Sequence, residues 1–243
     1  MTEKRVALVV GASRGIGRQV AIDLAKSGYA GMPRVPWYCW ALSDHLAVVV
    51  AAKSISDAYA THPFPPDPKS SQSTISTVER EIREAGGDAT AIVVDVRDVE
   101  SVERLVARTV EIYGRLDVLV YNSGAIWWAS IEKTPTKRFQ LMQRVNPEGL
   151  YATVQAVLPQ LKKNAGAKGR IIVVSPPIYS RFFRGKTAYA MGKVGMSVLT
   201  KGLAMDFERE GRDGLAITSI WPAAASSDLI HISLETSDRH LVH

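Results

Sequence analysis

"RVALVVGASRGIG", Arg5 to Gly17, compresses a strand, a turn and the start of a helix into thirteen residues. Val6–Val10 is a short, unbroken apolar run, the pattern of a strand covered on both faces. Ile16, Val20 and Leu24 then fall at i, i+4 and i+8, the spacing of one helical face. Between them Gly11, Gly15 and Gly17 stand in G-x-x-x-G-x-G order. Glycines where a buried strand turns into a helix let the backbone approach a pyrophosphate. The helix N-terminus adds N–H groups and a partial positive charge. The order is not the G-x-G-x-x-G of the standard fingerprint, so the weight rests on its position between an apolar strand and an amphipathic helix. Gly11, Ser13, Arg14, Gly15, Ile16 and Gly17 are therefore the first candidate cofactor-binding residues.

The alternation continues along the chain. Val48–Ala52, Ala91–Val94, Val118–Val120, Ile171–Val174 and Ala216–Ile220 repeat the strand pattern. Ile75, Val78 and Ile82 form one helical face ahead of Gly86-Gly87. Val102, Leu105, Val106, Thr109 and Ile112 form another, with Asp98 as N-cap and Gly114 as the stop. Thr134-Pro135 reads as an N-cap followed by proline at the first helical position, opening a helix towards Leu161. Thr61–Thr74, rich in proline and serine, reads as a loop. Six strands alternating with helices predict an α/β fold: a doubly wound, Rossmann-type parallel sheet in a single domain over residues 1–243.

Bulk composition removes several function classes. A hydrophobic share of 46% is enough for a sizeable core. The 30 basic and 24 acidic residues give +6, and the bases are spread along the chain, which argues against a nucleic-acid or membrane-surface binder. One cysteine, Cys39, allows no internal disulfide. The five histidines have no metal-ligand spacing, so no metal is expected. No apolar run approaches the roughly 18 residues of a membrane span. The charged start runs through a short apolar stretch straight into glycines, which reads as a first strand rather than a signal peptide. "RHLVH" matches no retention or peroxisomal address. The expected location is cytoplasmic, with mitochondrion and peroxisome left open.

A second motif carries chemistry. In "AYAMGK", Tyr189 and Lys193 lie at i and i+4 on one helical face. A tyrosine needs a shift of roughly 2–3 units, about 3–4 kcal/mol, to act as a base near neutrality. A cation at about 4 Å supplies about 1 kcal/mol in water and about 4 kcal/mol at an effective dielectric of about 20. The pair therefore suffices only if partly buried. "RIIVVS" ends a strand at Ser175, and "VLVYNSGA" ends another with Asn122, Ser123 and Gly124. Both ends belong at the crevice beyond the sheet's carboxyl edge.

Taken in order, these motifs resemble the short-chain dehydrogenase/reductase family, over about residues 4–30 and 48–222. "GASRGIG" resembles its cofactor loop, "YNSG" its N-N-A-G turn, and Val145-Asn146 its catalytic-asparagine segment. More narrowly, "TPTKRFQLMQRVN", "VVSPP", "TAYAMGKVGMS" and "SIWP" resemble the hydroxysteroid dehydrogenase-like branch. The resemblance implies hydride transfer between a nicotinamide cofactor and a small apolar carbonyl or alcohol. Tyr189 would exchange the alcohol proton and Ser175 would orient the carbonyl oxygen. Lys193 would lower the tyrosine pKa and hold the nicotinamide ribose, and Asn146 would position a water in the proton relay. Asp95 with Val96, the Asn122–Gly124 turn and Pro222 would complete the cofactor site. A structural helix cap is the nearly equal alternative for Asp95. A homo-oligomer is compatible with this reading.

Cofactor choice is partly legible. The position that would carry an acid for the ribose 2′-OH of NAD carries Lys53 instead, and Arg14 sits in the glycine loop; together they favour NADP over NAD. Four departures from the family stand out. Tyr121 replaces the first asparagine of the turn. Ser175 and Tyr189 are 14 residues apart, one more than the commonest family spacing. "WPAAA" stands where the family has P-G. Trp127 and Trp128 follow the "NSGA" turn, where they would either wall a substrate pocket or pack against a neighbouring helix or subunit.

Gly17 and Lys53 are 36 positions apart, and removing residues 31–47 leaves 19, close to the family interval of roughly 20. The segment is thus expected to be an insertion into a complete βαβ unit, either an unremoved intron or gene-model artefact or a genuine surface loop. After Pro222 the segment 223–243 shows no strand-like run, so the sheet is expected to lack its usual last helix and strand. The alternative function is a mis-spliced or truncated, catalytically inactive chain that at most binds nucleotide or a partner.

Overall fold

The computed structural model describes residues 4–27, 46–56, 73–176 and 183–222. Gly28, most of the 31–47 segment, residues 57–72 with most of the expected Thr61–Thr74 loop, and residues 223–243 lie outside the described residues, and so do the expectations placed on them. Six strands are described: β1 (Arg5–Val10), β2 (Leu46–Ala52), β3 (Asp88–Val93), β4 (Val118–Tyr121), β5 (Gly169–Val174) and β6 (Leu215–Ile220). They form one sheet in the order β3-β2-β1-β4-β5-β6, with every neighbouring pair parallel. The expected doubly wound α/β sheet is the one found. The chain builds outwards from β1 to β3, then crosses back to β4. The order reverses between β1 and β4, and in such sheets ligands bind at that switch point.

Parallel strands covered on both faces need apolar side chains at successive positions, and β1 and β2 supply them. Leu8 and Val49 point to one layer, with Leu105 of α3 (Val99–Tyr113), Leu150 and Val157 of α5 (Gly149–Lys163) and Met196 of α6 (Thr187–Arg209). Ala7, Val9, Val48 and Val50 point to the other, with Ile22 of α1 (Gly15–Ser27) and Val78 and Ile82 of α2 (Ile75–Glu84). Thr74 caps α2 through a capping box, Asp98 caps α3, and Gly114 closes α3 in the left-handed region at φ 76°.

Val48–Ala52 pairs beside β1 as expected, but β2 begins earlier. Leu46 pairs with Arg5 and Ala47 with Val6, and both residues are buried. The last two residues of the 31–47 segment therefore belong to the sheet. Composition marked the segment, but only pairing marks where an apolar run enters a ladder.

The helix expected from Thr134-Pro135 towards Leu161 differs in two ways. Pro135 itself occupies the N-cap, while the Thr134 hydroxyl donates to the Ser130 carbonyl at 2.8 Å. The helix is also split into α4 (Thr136–Gln143), a π turn over Arg144–Glu148, and α5. Pro147 lies inside the π turn. It has no N–H for the Gln143 carbonyl, and its ring would crowd that carbonyl in a regular helix, so the turn widens.

Candidate active site

The glycine loop joins β1 to α1 at the switch point. Gly11 has φ 87°, and its N–H donates to the Ala51 carbonyl at 2.7 Å. A Cβ at Gly11 would lie 2.6 Å from the Ser123 nitrogen. One at Gly17 would run into the Gly11 carbonyl and stand 2.6 Å from Asn122 Nδ2. These two glycines close the turn against the end of β4. Asn122 completes the contact, donating from Nδ2 to the Gly11 carbonyl at 3.0 Å, while the Asn122 and Ser123 N–H groups donate to the Val10 carbonyl. Gly15 differs, because at φ 56° a Cβ would meet open space. The open space beside Gly15 and the first N–H groups of α1, which have no intrahelical partners, suit a pyrophosphate. Ser13 is buried and its carbonyl accepts from the buried Ser73 hydroxyl; Ile16 is half-buried and Arg14 is exposed.

Lys53 directly follows β2, and Asp95 follows β3 at the adjacent strand end. Lys53 Nζ donates to Asp95 Oδ2 at 3.0 Å, and Arg97 grips both oxygens of the same carboxylate. Arg97, then Lys53, hold the Asp95 carboxyl well below the usual carboxylate range against the opposing effect of burial. The helix-cap reading of Asp95 does not hold, since Asp98 caps α3. Val96 is buried, and Pro222, just past β6, is exposed.

The second half of the constellation lies beyond β4 and β5. Asn146 sits in the π turn, is fully buried, and clasps Ala125. Its Oδ1 accepts the Ala125 N–H at 2.8 Å and its Nδ2 donates to the Ala125 carbonyl at 3.1 Å. Ser175 follows β5, is 2% exposed, and is held to β6 by donation of its N–H to the Ile220 carbonyl. Tyr189 and Lys193, on the first turns of α6, are both buried. Lys193 Nζ donates to the Val174 carbonyl at 2.8 Å. A Cβ at Gly124 would stand 3.4 Å from Asn146 Oδ1 and 3.6 Å from Lys193 Nζ, so the β4 turn, the π turn and α6 converge there.

Electrostatically, burial dominates this region. It pushes the Tyr189 phenol up to about 12 and the Lys193 ammonium down to about 8. The lowering of Tyr189 by its lysine, expected from the i, i+4 spacing, does not emerge in the chain alone, where loss of solvation raises the phenol. Trp127 and Trp128 pack on the cluster of Met142, Ala188 and Tyr189. The Trp128 ring meets Tyr189 edge-on at 6.2 Å between centroids, and Lys186 Nζ lies 4.6 Å over the Trp128 face.

Two residues were missed by sequence reasoning. Ser197, one turn beyond Lys193 on α6, places its Oγ 3.0 Å from both Ser175 Oγ and the Pro176 carbonyl. The i+4 step from Lys193 was visible, but nothing in the sequence marked a serine there. Tyr121, noted as a departure from the family turn, is fully buried, with its hydroxyl donating to the Val145 carbonyl at 2.7 Å.

A strand-order switch point and a glycine turn closed against β4 agree with the fold of the family that the motifs resembled. The short chain dehydrogenase model matches residues 68–237, so the chain belongs to that family of oxidoreductases. Among curated proteins it is similar to hydroxysteroid dehydrogenase-like protein 2. It is 36% identical to the Bos taurus protein over 219 residues, covering 89% of this chain and 44% of the relative. It is 34% identical to the Homo sapiens protein at the same coverage. The chain thus spans less than half the length of these relatives, and it resembles that branch of the family. Among solved structures, a short chain dehydrogenase from Mycobacterium thermoresistibile is 34% identical with a TM-score of 0.69, covering 90% of this chain and 67% of that one. An actinorhodin polyketide ketoreductase variant solved with NADPH is 25% identical with a TM-score of 0.75, covering 100% of this chain and 79% of that one.

Among the described residues no helix is long and apolar enough to cross a membrane.

Proposed function

We propose that the protein is an NADP-dependent oxidoreductase acting on a small apolar carbonyl or alcohol. The observation that carries this reading is that Asn146 and Lys193 meet around Gly124 at the end of β4. Lys193 and the partner of Ser175, Ser197, anchor the same helix to the end of β5, with Tyr189 one turn before Lys193. The nicotinamide cofactor, when bound, supplies or accepts the hydride. In reduction, Tyr189 gives its phenolic proton to the substrate oxygen. Ser175 donates a hydrogen bond to that oxygen and orients it. Lys193, buried beside Gly124 and Asn146, holds a cation near the ribose and favours the phenolate when the reaction runs towards oxidation. Asn146 fixes the β4 turn through Ala125 and sets the proton path behind Lys193. The apolar wall of Trp127, Trp128 and Met142 suits an apolar substrate. The test is NADPH oxidation against a panel of ketones and aldehydes of graded size; tight NADPH binding without turnover on any of them would sink the assignment.

Ser197 supports Ser175 in this scheme. A hydroxyl has one proton to give. The Ser197 proton is shared between Ser175 Oγ and the Pro176 carbonyl, and its share to Ser175 leaves the Ser175 proton for the substrate oxygen. Ser197→Ala is expected to lower kcat/KM by roughly tenfold, about 1.4 kcal/mol, with NADPH affinity unchanged. Steady-state kinetics beside a fluorescence titration would check this, and an unchanged kcat/KM would remove Ser197 from the site.

NADP is favoured over NAD because Lys53 stands at the end of β2 where an acid would select NAD. Its partner Asp95 stays paired with Arg97 if Lys53 swings to a 2′-phosphate. Lys53→Asp is expected to move the NADPH-to-NADH ratio of kcat/KM towards NADH by at least about tenfold. The same ratio in the variant would count against this role of Lys53.

A further inference from the structure

Tyr121 ends β4 at the position where the family turn carries an asparagine, and its ring is completely buried. Its hydroxyl donates to the Val145 carbonyl at 2.7 Å, 24 residues along the chain. Val145 lies in the π turn, next to Asn146. In a regular helix its carbonyl would accept from the Gly149 N–H, but that N–H goes to the Arg144 and Asn146 carbonyls. The widened turn thus diverts a backbone donor from Val145, and Tyr121 supplies another.

The surroundings are shaped for that hydroxyl. A Cβ at Gly149 would stand 2.6 Å from Tyr121 Oη, so this glycine leaves the space the phenol tip fills. Pro147 keeps the turn from closing into a regular helix. An asparagine at 121 would stop short of Val145. Burial drives the Tyr121 phenol far above its ordinary range, so it stays protonated and remains a donor at every working pH.

We infer that Tyr121 is a positioning residue: its hydroxyl pins the π turn through the Val145 carbonyl and so fixes Asn146 against Ala125, beside Lys193. Its consequence for turnover rests on the part given to Asn146 in the proposed reaction. The chain of contacts is Tyr121 Oη to Val145, Val145 to its neighbour Asn146, Asn146 to both backbone groups of Ala125, and Asn146 with Lys193 around Gly124. The replaced asparagine is therefore not a lost support. It is a brace from the last residue of β4 to the helix that carries a site residue.

The test uses the whole chain and the Tyr121→Phe variant, which keeps the ring and removes the donor. Three results are expected: amide exchange at Ala125 faster by roughly tenfold, kcat lower by about tenfold, and NADPH affinity within about twofold. The solvent deuterium isotope effect on kcat should also rise, because the proton path is misaligned while hydride transfer is untouched. A role confined to stability would lower the melting temperature and leave the isotope effect and the Ala125 exchange as they were. Gly149→Ala, which pushes a methyl into the hydroxyl, should give the same signature and serves if the first variant folds poorly. Unchanged Ala125 exchange in both variants overturns the inference. So does faster exchange with an unchanged isotope effect in an active protein. If the parent chain turns over none of the carbonyl panel, the proposed reaction fails, and Ala125 exchange alone then decides whether Tyr121 positions Asn146.

Discussion

Tyr189→Phe should lower kcat for carbonyl reduction by about a thousandfold or more while changing the NADPH dissociation constant by no more than about threefold. The phenyl ring keeps the edge-on contact with Trp128 and the packing against Ala188 and Met142, so the local packing stays. In the proposed reaction only the proton donor is lost. Single-turnover kinetics beside a binding titration separate the two quantities, and a variant that retains turnover would remove Tyr189 from the reaction. The pH dependence follows from the same residue. Reduction needs the neutral phenol, which burial favours, so its rate should be flat from neutrality to well above it. Oxidation needs the phenolate, so its rate should rise with pH by about tenfold per unit until Tyr189 has titrated. Lys193 opposes this rise from the other side. Its ammonium, pushed down to about 8 by burial, is present below that pH and is lost above it in the chain alone.

Gly17→Ala should be the most damaging small substitution in the glycine loop. The added methyl would occupy the place of the Gly11 carbonyl oxygen and crowd Asn122 Nδ2 at 2.6 Å. Neither is the far end of a flexible side chain, since Asn122 is itself held to Gly11. Overpacking of this kind costs about 1–3 kcal/mol or more, which for a chain this size lowers the melting temperature by roughly 6–12 °C at the upper figure. NADPH affinity should fall by at least about a hundredfold, because the turn that presents the α1 N-terminus must open. Gly15→Ala is the contrast, since its methyl would enter open space and its cost is the left-handed φ alone. Thermal unfolding and NADPH titration of both variants would test the distinction. Equal behaviour of the two would show that close approach is not what requires glycine at 17.

The sheet was legible in the sequence because buried parallel strands write themselves as unbroken apolar runs. Val6–Val10, Val118–Val120 and Ile171–Val174 all fall inside the observed strands. The cap Asp98 and the stop Gly114 were legible because a cap needs a short polar side chain and a left-handed terminus needs glycine. The candidates Ser175, Tyr189 and Lys193 were legible as residue types in order. What spacing could not show is what each side chain meets. The pairing of Lys53 with Asp95 spans 42 residues, that of Ser197 with Ser175 spans 22, and both depend on which strands and helices end side by side. The π turn was hidden because the apolar pattern runs through it, and Pro147 was the one signal that a continuous helix would be interrupted. Tyr121 read only as a departure from the family turn because its sequence neighbours say nothing about Val145.

The hydrogen bonds from Val6 to Asp117 and from Asn122 to Gly11 each span 111 residues. The crevice between β1 and β4 is therefore a product of late folding. The glycine turn leaves the ribosome long before the strand end that completes it. Until that strand arrives, Gly11 has the Ala51 carbonyl of β2 but neither Ser123 nor Asn122 to close against. Closing so long a loop adds an entropic cost that grows slowly with length, but contacts this distant in sequence slow folding. A cofactor that binds across the two strand ends recognises only chains in which that distant pairing has formed, and so it acts as a selector for completed folding as well as a reagent.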